Sequence, residues 1–242
     1  MEPAPAAFLW GVMQGQVRLL VSGPPGAGKT SLLGALLRAV PGDRCIRCCE
    51  EIRELTVPLS HGAYYETRPP GLDGGAEISL RDLVKFVLAM RPDLIVVGEV
   101  RGAEAFELTR AANAGCGMAC TIHANHARAA LDALVHAAVM AGENVTEQAL
   151  RAVFAAGVDL VVHCELRQAG DSDRAARRRV SEIIAVVPSL HGGFSTEPVY
   201  RRDHFDAPLE WTGFLPASAE RLDADLPGMT LRDLASGRVQ PW

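Results

Sequence analysis

Val17 to Thr30 reads VRLLVSGPPGAGKT, and this stretch decides the fold. Its first half, Val17–Ser22, is a short apolar run of strand type. Its second half, Gly23-Pro24-Pro25-Gly26-Ala27-Gly28-Lys29-Thr30, fits the pattern G-x-x-x-x-G-K-[ST], and Ser31–Val40 behind it suits a helix. The glycines let the backbone curl until successive N–H groups face inward as an anion nest, with the positive end of a helix behind them. Lys29 then supplies a point charge for the β- and γ-phosphates of a nucleotide, and Thr30 places a hydroxyl for Mg2+. A chance glycine loop would lack the flanking strand and helix; here both are in place.

Outward from the loop, strands and helices alternate. Arg44–Glu50 and Ala63–Thr67 are strand candidates. Ser79 opens a helix in which Leu80, Leu83, Val84, Val87 and Leu88 share one face, with Asp82 at capping-box spacing and Pro92 marking the end. Leu94–Val97 is continuously apolar, as a strand buried on both faces should be. A helix over Ala103–Ala114, a strand over Met118–Ile122 and helices over Ala127–Ala141 and Glu147–Ala156 follow. The interleaving predicts an α/β layer with a mainly parallel sheet. After Gly157, Val158–Glu165 and Arg179–Val187 read as a hairpin around a charged turn, Arg167–Arg178. Beyond Pro188 only Pro198–Arg201, Ala217–Leu222 and Leu231–Leu234 give a weak signal. The predicted division is therefore 1–188 for the main domain and 189–242 for a C-terminal extension.

Composition bounds the function. The 242 residues are 48% hydrophobic and 22% charged, an ordinary globular balance. A net charge of −5 argues against a nucleic-acid binder that works by bulk basicity. No apolar stretch is long enough to span a membrane. Met1–Met13 carries Glu2 and two prolines where a secretory leader needs Lys or Arg, so the chain is read as cytosolic. Of the six cysteines, Cys45/Cys48 and Cys116/Cys120 superficially suggest zinc, but Cys45–Cys49 lies in an apolar run. Reduced core cysteine is the commoner state there.

A loop of this kind also needs an acid at the end of a neighbouring buried strand, acting through the metal or orienting the attacking water. Leu94-Ile-Val-Val-Gly98-Glu99 delivers it; Gly98 stands beside the place of the usual Asp, and Glu99 acts alone. A second acidic group, Glu50, Glu51 and Glu54, follows the Arg44–Glu50 strand. Carboxylates there repel a triphosphate unless they hold metal or polarise water. His123, in Thr121-Ile-His123-Ala-Asn125, is structural or, beside a nucleotide, a sensor of the γ-phosphate. Arg68, Arg81, Arg91 and Arg101 outnumber what one site can use; one or two are expected to reach a phosphate, within the chain or across a subunit interface. The run Arg174, Arg177, Arg178 and Arg179 is read as a charged hairpin tip rather than a DNA contact.

In series, these pieces resemble the hexameric secretion and pilus-assembly ATPases of type II, type IV and tight-adherence (Tad) systems, most nearly the Tad branch. GPPGAGKTSLLGALL resembles their Walker A segment and CCEEIREL (Cys48–Leu55) their Asp box. EISLRDLVKFVLAMRPDLIVVGEVRGAEAFEL resembles the arginine-bearing segment, capped helix and atypical Walker B. CTIHANHARAALDAL resembles the His box, and VDLVVHCE with RRVSEIIAV the closing hairpin. The similarity is collinear over about residues 8–188. It implies a RecA-like P-loop NTPase core with a C-terminal β-hairpin extension, ATP as substrate and Mg2+ as cofactor. Gly23 to Ser31 would cradle the nucleotide, and Thr30 and Glu99 would hold the metal. Glu50 and Glu54 become Asp-box carboxylates, His123 the second histidine of the His box, and Arg68 and Arg81 nucleotide contacts, in cis or from a neighbour. Arg101 would support Glu99. Cys116 stands where the family carries its first histidine, and Pro24-Pro25 replaces a frequent Gly-Thr.

The resemblance further implies a homo-hexamer, platform proteins of the inner membrane as partners, no nucleic acid, and a peripheral place at the cytoplasmic face of the plasma membrane. Family members carry a domain of about a hundred residues ahead of the loop, within the usual domain sizes. Its absence or truncation is expected here, and with it weak self-association and slow turnover. The leading expectation is a motor that hydrolyses ATP to drive secretion or pilus assembly. A conjugation-type transfer ATPase and a low-turnover nucleotide-binding regulatory subunit are the alternatives.

Overall fold

The computed structural model describes the chain except for residues 57–59, 72–75, 169–175 and 190–192. Helix α1 (Pro3–Gln14) precedes strand β1 (Arg18–Gly23) and helix α2 (Lys29–Leu37). Strands β2 (Ile46–Glu50) and β3 (Gly62–Glu66), helix α3 (Leu80–Ala89), strand β4 (Leu94–Val100), helix α4 (Glu104–Asn113) and strand β5 (Gly117–His123) come next. Helices α5 (Ala127–Val139) and α6 (Glu147–Gly157) lead to the strands β6 (Leu160–Arg167), β7 (Arg177–Pro188), β8 (Phe194–Arg201) and β9 (Glu210–Trp211). Two short helices, α7 (Ala219–Asp223) and α8 (Leu231–Ala235), end the chain.

Among the described residues nine strands join one sheet in the order β3-β2-β4-β5-β1-β6-β7-β8-β9. The pairs from β3 to β6 are parallel and the last three are antiparallel. The predicted α/β fold with its parallel sheet and closing hairpin is thus present. Strand β4 is buried on both faces from Leu94 to Val97. Ser79 and Asp82 make the reciprocal capping box that starts α3.

Two cores flank the sheet. One takes α1, α2 and the C-terminal helices, among them Phe8, Leu33 and Leu234; the other takes α3 to α6, among them Val84, Leu108 and Phe154. Cys48 and Cys49 enter opposite cores, as neighbours on a strand must. Burial pushes both thiols up to about 12, so they are inert core residues. Cys45 lies just outside β2 and is half-buried, so the strand starts two residues later than the expected Arg44. Among the described residues no group of three or more His, Cys, Asp or Glu could hold a metal ion.

The boundary drawn at residue 188 falls within a continuous sheet. Strand β8 pairs with β7 along its length and begins at Phe194, ahead of the expected Pro198. Helix α1, which periodicity did not announce, packs on α8. Glu2, at its N-cap, accepts from both terminal nitrogens of Arg202, at 2.7 and 2.8 Å. Tyr200 Oη donates to Ala235 O at 2.8 Å. The two ends of the chain thereby close one face of the molecule.

Candidate nucleotide-binding site

The carboxyl ends of parallel strands gather the chemistry, as expected for an open α/β sheet. Strand β1 ends at Gly23, where φ is 151° and a β-carbon would stand 2.3 Å from the Cys164 carbonyl oxygen. Only glycine passes there. The loop turns with Ala27 N–H donating to Pro24 O at 3.2 Å, and α2 starts directly at Lys29, two residues earlier than expected. The loop from Pro25 and the start of α2 line one cavity of about 830 Å³, a size suited to a small-molecule ligand.

Lys29 is 6% exposed. Its Nζ donates to the carbonyls of Gly23 and Pro24, each at 3.2 Å, and meets His123 Nδ1 at 2.9 Å. Burial lowers its pKa, with the Glu99 charge opposing. His123, last in β5, has Nε2 at 2.6 Å from Glu99 Oε1. Since Nδ1 faces an ammonium it accepts, and the ring proton sits on Nε2, donating to Glu99. A single imidazole thus links the loop lysine to the strand acid.

Glu99 is aimed by a bulge. Pairing between β4 and β5 shifts register between Val97 and Val100, and Thr121 Oγ1 donates to Gly98 O at 2.6 Å across the irregularity. Such a bulge bends the strand and redirects its side chain. The other Glu99 oxygen pairs with Arg101, whose second terminal nitrogen holds Glu51 at 3.1 Å. Glu50, at the end of β2, is 4% exposed; its Oε1 accepts from the amides of Glu54 and Leu55, both at 3.1 Å. Burial raises its pKa, and those two amide bonds oppose the shift.

Thr30, Ser31, Glu50, Glu54, Glu99 and His123 all line the cavity with the loop. The hydroxyl of Thr30 and the carboxylate of Glu99 are hard oxygen donors on one cavity. They fit Mg2+, which takes one or two protein oxygens and completes its shell with phosphates and water. Two expected contacts lie elsewhere in the chain. Arg68 forms a β-bridge with Ile78 and donates to Ala76 O at 3.0 Å. Arg81 is held by Glu107 at 2.9 Å and Glu143 at 2.5 Å. Neither lines the cavity. Sequence reasoning missed Cys164 on the cavity wall, and it missed Arg178 and Arg179, which reach the cavity from β7. Only the register of the hairpin brings those arginines in, and no local motif carries that register. Arg174 of the same run lies outside the described residues.

The fold and the glycine loop define an α/β protein of the P-loop type. The chain belongs to the type II/IV secretion system protein family, whose pattern it matches over residues 1–187. It is 37% identical over 204 residues to a protein of Mycobacterium tuberculosis named for conjugal transfer, covering 84% of this chain and 55% of that one. It is 33% identical over 180 residues to the type IV secretion system protein PtlH of Bordetella pertussis, covering 73% and 52%. Among solved structures, the VirB11 ATPase of the Brucella suis type IV secretion system, in complex with sulphate, superposes with a TM-score of 0.64 at 25% identity over 75% of this chain and 52% of that one. The chain spans about half the length of the curated relatives it matches. No helix among the described residues is long and apolar enough to cross a membrane.

Proposed function

We propose that the chain binds ATP with Mg2+ in the cavity over the Gly23–Thr30 loop and hydrolyses it to ADP and phosphate, as the ATPase core of a secretion or pilus-assembly motor. The observation that carries this reading is the Lys29–His123–Glu99 chain of contacts beside the loop amides. In this reading the amides of Gly23 to Ser31 and the Lys29 ammonium hold the phosphates. Thr30 and Glu99 hold the metal, which supplies charge neutralisation at the phosphates when bound. Glu99 also accepts the proton of the attacking water, and His123 couples its orientation to Lys29. Glu50 orders the turn that carries Glu54 to the phosphates. Arg68 and Arg81 contact nucleotide from a neighbouring subunit in a ring of like subunits, and Arg101 steadies Glu99. The assembly works at the cytoplasmic face of the plasma membrane against inner-membrane platform proteins.

A second reading, a conjugation-type transfer ATPase, is favoured by the relatives named for conjugal transfer. It uses the same site. The deciding experiment measures ATP binding and turnover in Lys29→Ala and Glu99→Gln. Lys29→Ala is expected to lose binding. Glu99→Gln is expected to bind ATP nearly normally and turn it over at least a hundredfold more slowly, about the contribution of a positioned base. Undiminished turnover in Lys29→Ala would sink the assignment.

A further inference from the structure

The pleat splits the arginine run of β7. Arg177 and Arg179 point the same way, as alternate residues on a strand do. Both pair with Asp206, at 2.7 and 3.8 Å, and both lie over the Phe205 ring at 5.5 Å. Arg178 points the other way. Its Nε donates to Gly26 O at 2.7 Å, in the middle of the phosphate-binding loop. Leu166, its cross-strand partner on β6, lies against the same glycine, so this pair of residues leans over the loop.

Three arginines line the cavity: Arg101, Arg178 and Arg179. Carboxylates neutralise two of them, Glu99 and Glu51 for Arg101 and Asp206 for Arg179. Among the described residues no carboxylate pairs with Arg178, and only its Nε is engaged. A guanidinium fixed at Nε on a backbone carbonyl still presents its two terminal nitrogens in one plane. That is the geometry that grips phosphate oxygens in pairs. Lys29 approaches the cavity from the loop side, and Arg178 approaches from the hairpin side.

Resting on the nucleotide-binding reading above, we propose that Arg178 is a phosphate-binding residue contributed by the hairpin in cis. It holds the polyphosphate chain of the nucleotide against the loop from the hairpin side. The Gly26 carbonyl positions it, and the Asp206 cluster keeps Arg177 and Arg179 from competing for that place. Strand β7 is therefore part of the nucleotide site through Arg178, within the same chain.

The test compares Arg178→Ala, Arg178→Gln and Arg178→Lys in the full chain, with thermal melting to confirm folding. Kd for ATP and ADP and the turnover parameters are the readouts. Glutamine can still donate to Gly26 O but carries no charge; lysine keeps the charge. A phosphate contact predicts a rise of about tenfold in Kd for both nucleotides in Arg178→Ala and Arg178→Gln, the size of one charge-assisted hydrogen bond. Arg178→Lys keeps the charge but not the paired grip, so its Kd should fall between the parent's and that of Arg178→Gln, and KM should move more than kcat. If Arg178→Gln binds like the parent, the residue only buttresses the loop and the proposal falls. Lys29→Ala serves as the control. Lost binding there with unchanged binding in all three Arg178 variants overturns the clamp alone. Unchanged binding in Lys29→Ala overturns the nucleotide reading itself.

Discussion

Gly98 and Glu50 occupy each other's space: a β-carbon on Gly98 would stand 2.8 Å from Glu50 Cγ and 3.1 Å from its Oε1. The glycine beside Glu99 therefore makes the slot in which the Glu50 carboxylate caps the Glu54 and Leu55 amides. In Gly98→Ala the Glu50 side chain must shift in that slot and give up the buried Leu55 amide and the part-buried Glu54 amide. The expected cost is about 1–3 kcal/mol of stability, the desolvation penalty of an unpaired buried group. Urea unfolding measures it, and the turnover rate should fall with it. A stability equal to the parent's would mean that Glu50 gives way freely.

Glu50→Gln is expected to separate stability from activity. The amide oxygen still accepts from Glu54 and Leu55, while the burial cost of the charge disappears. Because the folded-state pKa of Glu50 is raised above the usual 4.5, ionising it weakens the fold. That loss sets in as pH rises from 4.5 through the raised value. The variant should match or exceed the parent's stability at neutral pH, with turnover reduced. Melting curves between pH 4 and 8, with ATPase rates, check both halves.

Among the described residues, His123→Ala removes the one side chain bonded to both Lys29 and Glu99. Lys29 keeps its two carbonyl partners, so ATP affinity is expected to change less than threefold. Glu99 loses a charge-assisted bond, and turnover should drop by about tenfold to a hundredfold, in line with bonds of this class. Equal losses in affinity and turnover would point to a purely structural imidazole.

Asp159 ties three elements together. It accepts from the Arg18 backbone and guanidinium and from Arg221 on α7. Burial pushes its pKa up, but the Arg18 bonds and both arginine charges outweigh this, and the net pKa is lowered from 3.8. A depressed carboxylate contributes stability above 3.8 and loses it as pH falls through the lower folded value. Asp159→Asn is expected to cost about 3 kcal/mol near neutrality, as for breaking one side of a buried pair. Its acid unfolding should be less steep than the parent's. Chemical denaturation at pH 3 and pH 7 tests both statements.

The parts of this structure legible in the sequence were those whose signal is local. A glycine loop between an apolar run and a helix, the Ser79–Asp82 cap and the unbroken Leu94–Val97 run each announce themselves within ten residues. Helix α1 did not, because Phe8, Leu9, Val12 and Met13 are buried together with Pro5, Ala7 and Gly11, leaving no polar stripe to set a period. Strand β8 was half hidden because Ser195, Thr196 and Glu197 are polar in succession and Pro198 follows them, which breaks the alternation a strand shows. At the site, residues of the parallel strand ends could be read off their strands. Arg178 could not, since its role follows from the pairing of Leu166 with Arg178 across a hairpin. Arg81 resembled a nucleotide contact by motif, yet within the chain its partners are carboxylates on α4 and in the α5–α6 connection.

The Glu2–Arg202 pair spans 200 residues, and α1 completes its burial only against α8, further along still. A ribosome adding roughly 5–20 residues per second needs on the order of 10–40 s to cover that distance. Throughout that interval Phe8, Leu9 and Met13 have no α8 to cover them. Helix α1, made before the other helices among the described residues, is thus among the last of them to reach its final burial. Synthesis in sequence order delays the burial of α1, and a nascent chain halted before Arg202 holds that apolar helix with neither its Arg202 anchor nor α8 to cover it.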